Sequence, residues 1–174
     1  MHRLRSCSRV LSGFAAVLAA VGLAGLAAVG PAVSAVASTP STSGVCRPQV
    51  TVGLLPVWAR AGFSSPRPRM AYSLGRAGEI AALLWANPLL SPPAKTHNNK
   101  ILWVSRESGV PGSDLQISAQ RMSGSRPLGA PVGRRVIGGP GPSIVNLPVA
   151  GCWRFRLRWS GRTDTIDLRY VANR

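Results

Sequence analysis

Three observations predict an all-β chain: short runs that are apolar or strictly alternating, Gly- and Pro-rich turns between those runs, and no stretch with a convincing helical stripe. Together they describe a small immunoglobulin-like β-sandwich of about seven strands. An antiparallel β-barrel is the alternative that the same pattern allows.

The elements follow in order. Residues 49–58, rich in Val and Leu, read as a first strand that stops before a Pro/Ser/Arg loop at 64–69. A turn of helix is allowed near 77–81, and 80–86 reads as a strand. Residues 87–93 hold three prolines and exclude a regular element, because proline removes a backbone donor and fixes φ. Residues 100–106 are apolar on both faces, as an interior strand is. A Gly-Val-Pro-Gly turn follows within 107–113. Residues 114–122 then alternate, with Leu115, Ile117 and Ala119 opposite Gln116, Ser118 and Gln120. The Gly/Pro-rich stretch 123–142 allows a short strand at 132–137, and 143–147 is the next candidate.

The clearest element is the last. Trp153, Phe155, Leu157 and Trp159 share one face, and Cys152, Arg154, Arg156 and Arg158 share the other. Ser160-Gly161 supplies a reversal, after which Ile166, Leu168 and Tyr170 turn inward and Thr165, Asp167 and Arg169 outward. The hairpin thereby sets Arg154, Arg156, Arg158 and Arg169 side by side as a candidate anion-binding face, with Asp167 able to pair with the arginines across the strands as an exposed ion pair.

The chain opens with a basic segment and then an apolar run from 10 to 29 without a charge, followed by small residues at 33–37. This is the pattern of a secretory signal over 1–37. An uncleaved anchor is the less favoured reading of the same run, since its many Ala and Gly make it a weak membrane span. Residues 38–45 are expected to be a flexible Ser/Thr/Pro/Gly linker, and 46–174 a single sandwich domain. Export would make the protein secreted or associated with the cell envelope. Of 21 basic residues, three (Arg3, Arg5 and Arg9) fall in the signal, leaving 18 against five acids and a balance of +13.

Cleavage would remove Cys7 and leave Cys46 and Cys152, which in an oxidising compartment are expected to form a disulfide. A lipid-modified Cys46 is disfavoured by Val45 before it and by the polar stretch upstream. With no Cys-x-x-Cys pair and His97 as the one histidine beyond the signal, no metal site is expected.

The stretches 99–106 (NKILWVSR), 141–153 (GPSIVNLPVAGCW) and 163–170 (TDTIDLRY) resemble a group of uncharacterised secreted actinobacterial proteins. The resemblance spans most of 46–174. It implies export and an immunoglobulin-like sandwich, and implies no activity, ligand or catalytic residue.

No Gly-x-Ser-x-Gly elbow occurs, and His97, in a Thr-His-Asn-Asn loop, has no evident nucleophile beside it. Asp164 and Asp167 fall on opposite faces of one strand and cannot address one substrate together. The run 138–142 lacks the Gly-Lys-Ser/Thr ending of a phosphate loop, and Arg134 and Arg135 upstream would be the contacts if that rim functions. The expected role is a non-catalytic binding module of the envelope, without cofactor. Its Arg face would meet an anionic wall polymer, a lipid headgroup at the membrane surface or an acidic protein. The alternative is a protein-interaction or structural sandwich that docks a partner on edge strands or on the Gly/Pro-rich rim and is insensitive to salt. Nucleic acid is disfavoured because the tryptophans of the last hairpin point inward. No small-molecule substrate is inferred.

Overall fold

The computed structural model describes residues 44–96, 98–110 and 113–173. The expected signal at 1–37, the linker as far as residue 43, and His97 lie outside the described residues. The described chain is a β-sandwich of two sheets, neither of which closes into a barrel. Ten strands form it: β1 Thr51–Leu54, β2 Arg69–Leu74, β3 Ile80–Leu84, β4 Leu89–Ser91, β5 Lys100–Ser105, β6 Leu115–Ser123, β7 Arg126–Val136, β8 Pro142–Ile144, β9 Gly151–Trp159 and β10 Arg162–Ala172. One sheet runs β1-β2-β3-β5-β8 and the other β4-β10-β9-β6-β7.

The core between the sheets is built from the inward positions that alternation selects. Trp153, Phe155, Leu157 and Trp159 of β9 meet Ile166, Leu168 and Tyr170 of β10 and, from the opposite sheet, Ile80, Ala82, Ile101 and Trp103. Trp103 and Phe155 lie 5.9 Å apart between ring centroids. Trp103 Nε1 donates to Ser143 Oγ at 2.9 Å and the Tyr170 hydroxyl to the Val145 carbonyl at 2.7 Å, whereas the buried Trp159 Nε1 has no hydrogen-bond partner among the described residues. Burial pushes the Tyr170 phenol above its ordinary range. A smaller core covers the outer face of the first sheet, where Leu55 and Ala59 pack on Ala81 and Leu83. All five residues of β3 are therefore buried.

Several segments differ from the sequence reading, and the count is ten strands rather than about seven. The first strand is β1 alone, because Pro56 starts a 3-10 turn over Val57–Ala59. Residues 69–74, of which only Arg69 is assigned from sequence, as the end of the 64–69 loop, form β2, whose pairing with β1 and β3 outweighs its weak alternation. No helix occurs near 77–81, where β2 turns into β3. Residues 87–93 contain β4 despite their prolines. Pro88 and Pro92 flank its three residues rather than interrupt them, and it lies at a sheet edge, parallel to β10. Asn99 replaces the missing neighbour, accepting from the Leu90 N–H and donating to the Leu90 carbonyl, both at 2.8 Å. β7 is longer than expected because it is also an edge strand and tolerates Pro127 and Pro131 there. β8 pairs with β5 over 142–144, beginning one residue before the expected 143–147 and ending three residues sooner.

The β9–β10 hairpin matches the reading in both register and reversal. Trp159 lies opposite Arg162, and Ser160 and Gly161 both take positive φ, 45° and 74°, as a two-residue turn of matching twist requires.

One contact ties the sheets at their end. Asp164 points inward and accepts the N–H groups of Ala77 and Glu79, both at 2.9 Å, from the β2–β3 turn. Gly75 lets this happen, since a Cβ there would sit 2.0 Å from Asp164 Oδ2. Gly75→Ala is therefore expected to lower stability by about 2–3 kcal/mol through overpacking. A urea midpoint equal to that of the wild type would refute it.

Candidate functional site

The outer face of the second sheet carries the residues singled out by alternation. β9 presents Cys152, Arg154, Arg156 and Arg158. On β10 their partners in register are Arg169, Asp167, Thr165 and Thr163, and on β6 they are Met122, Gln120, Ser118 and Gln116. All four arginines thus stand on one face, but they do not form one exposed row.

A strap crosses that face. Cys46 is joined to Cys152 with the Cα atoms 6.2 Å apart, and the Cys46 N–H donates to the Gly124 carbonyl at 2.8 Å. The Val45 carbonyl accepts from Arg154 Nη2 at 3.3 Å, and the Arg47 N–H donates to Asp167 Oδ2 at 2.9 Å. Residues 44 and 45, expected to belong to the linker, are thus held against the domain.

Beneath the strap lies an ion-pair cluster. Arg154 grips Asp167 in a two-pronged way, Nε to Oδ1 at 2.9 Å and Nη2 to Oδ2 at 3.0 Å, and Arg76 Nη2 adds a contact at 2.7 Å from the β2–β3 turn. The Arg154 and Asp167 side chains are each only 2% exposed. This corrects the expectation of an exposed pair worth a few tenths of a kcal/mol, and it removes Arg154 from the accessible face. Burial opposes ionisation of Asp167, but the hydrogen bonds from Arg154, the Arg47 N–H and Arg76 outweigh it and hold the carboxyl below its usual value.

On one side of the strap the face stays open. Arg156 and Arg158 are exposed there, among Gln116, Ser118, Thr163 and Thr165. Arg169, past Asp167 along β10, is also exposed, but it lines a separate groove of about 250 Å³ with Pro48, Val50 and Leu89. The arginines thus fall into three settings: one buried, two adjacent and open, one apart.

Every carboxylate in the sequence is engaged. Asp167 and Asp164 have the partners given above. Asp114 pairs with Arg135 and accepts the Gly138 N–H at 2.8 Å; that N–H first, and then Arg135, hold its carboxyl below the ordinary value. Glu79 and Glu107 share Arg162, Glu79 at 3.0 Å. Arg158 has no acidic partner among the described residues. Among the described residues no three His, Cys, Asp or Glu side chains gather as a metal site would need.

Sequence reasoning missed Arg47 and Arg76, which stand 120 and 91 residues from Asp167 along the chain. Only the position of Arg47 beside Cys46 hinted at its place. No protein-family model, curated protein or solved structure matches this chain.

Proposed function

We propose that this protein is an exported, non-catalytic binding module of the cell envelope that holds an anionic polymer on the open end of its second sheet. One observation carries the reading: Arg156 and Arg158 stand two residues apart on one strand, both exposed, with Thr165 and Ser118 in register beside the first and Thr163 and Gln116 beside the second. Same-face neighbours on a strand are about 6.8 Å apart, a spacing that suits successive charges on an extended polymer. Guanidinium groups bind phosphate or carboxylate in a two-pronged way, and hydroxyl and amide neighbours can complete the contacts. With all five carboxylates occupied by arginines or backbone N–H groups, general acid–base work has no evident carboxylate to use, which supports a binding role over an enzymatic one.

The test is retention on isolated cell envelopes across a salt series. Arg156→Gln with Arg158→Gln is expected to weaken retention at least tenfold at low salt and to flatten its dependence on ionic strength. Retention that ignores both salt and the substitutions would overturn the proposal in favour of docking on a protein partner.

A further inference from the structure

The strap builds a second concavity, which adjoins the open Arg156/Arg158 face at Thr165. It lies between residues 44–51 on one side and the β2–β3 turn on the other, with Thr165 and Asp167 of β10 lining it, and its volume is about 600 Å³. That is within the range of pockets that hold small organic ligands. Arg47, Gln49, Thr51 and Arg76 complete the polar lining.

We infer that this groove binds a small polyhydroxylated anion, a sugar phosphate or sugar acid, with the anionic group between the side chains of Arg47 and Arg76. The argument rests on charge and on donors left over. Two guanidinium groups, those of Arg76 and Arg154, contact a single carboxylate, Asp167, and Arg47 also lines the groove, so the arginines here outnumber the acid three to one. Asp167 is already saturated by Arg154, Arg76 and the Arg47 N–H. Arg76 gives one N–H to Asp167 Oδ2, and its side chain remains 43% exposed; a guanidinium carries five donors, so others remain for a ligand. Arg47 touches the same Asp167 oxygen through its backbone alone, and its guanidinium has no acidic partner among the described residues. Arg47 and Arg76 thus both line this groove, and Gln49, Thr51 and Thr165 add an amide and two hydroxyls for sugar oxygens.

One wall of the groove is residues 44–51, which the Cys46–Cys152 disulfide ties to the sheet.

The experiment is a titration of the folded, oxidised protein with glucose 6-phosphate, glucuronate, glucose and inorganic phosphate, followed by backbone and Arg side-chain NMR shifts. Saturable shifts at Arg47, Arg76 and Thr165 with glucose 6-phosphate or glucuronate are expected, and weaker ones with neutral glucose or with phosphate alone. Arg47→Gln should weaken the charged ligand at least tenfold, since it removes a charge-assisted contact. It keeps the backbone N–H that holds Asp167, so the unfolding midpoint should not move. Arg156→Gln with Arg158→Gln should leave this titration unchanged, which separates the groove from the open face. Equal affinity in Arg47→Gln, or no saturable shift with either charged sugar, would overturn the inference. Inorganic phosphate binding as tightly as glucose 6-phosphate would overturn the assignment of a sugar-bearing ligand.

Discussion

Replacing Cys46 and Cys152 together by Ser is expected to lower the unfolding free energy by about 4 kcal/mol, a large part of the stability of a domain this size. The two cysteines are 106 residues apart, so the bridge closes nearly the whole described chain and removes a long loop's worth of freedom from the unfolded state. The native state loses as well. Without the bridge the strap keeps the hydrogen bonds of the Cys46 and Arg47 N–H groups and of the Val45 carbonyl. Urea unfolding of the oxidised wild type, the reduced wild type and the double-Ser variant measures the effect, and the last two should coincide. Coincidence of all three midpoints would show that the strap contributes nothing to stability.

Asp167→Asn is expected to cost about 3–5 kcal/mol at neutral pH. The side chain keeps its shape, but the Arg154 guanidinium is left buried at 2% exposure without a counter-charge, the situation in which breaking a pair costs most. The same argument fixes the pH dependence. The folded-state pKa of Asp167 is lowered, so its contribution is fully present above the unfolded value of about 3.9 and is lost as pH falls through the folded value. Stability of the wild type should therefore decline on acidification below about pH 4, and that part of the decline should be missing in Asp167→Asn. A parallel pH profile in the two proteins would place the acid sensitivity elsewhere.

The two substitutions should also be coupled. Arg47 donates to Asp167 only while the strap is in place, so the effect of Asp167→Asn should shrink in the double-Ser background, by about 0.5–3 kcal/mol. Strict additivity would mean that the buried pair forms independently of its cover.

The β9–β10 hairpin was legible because period two is a local property: each side chain's face follows from its neighbours two residues away, and Ser160-Gly161 carries its own turn chemistry. Cys46 and Cys152 were legible by elimination, as the two cysteines outside the signal pattern. The strand β2 and the edge strands β4 and β7 were not. Their weak alternation and their prolines argue against strand locally, and only pairing partners far along the chain, with edge positions that need no second neighbour, make them strands.

The face itself divides in the same way. The sequence alone determined that Arg154, Arg156, Arg158 and Arg169 point to one side of the sheet and that Asp167 shares it. Only the tertiary structure decided which of them meets solvent. The strap, brought from residue 46 to residue 152 by the disulfide, covers Arg154 and Asp167 and leaves Arg156 and Arg158 open. Facing is set by backbone periodicity within a strand, whereas burial depends on what packs above that strand, and here the covering segment comes from the far end of the chain.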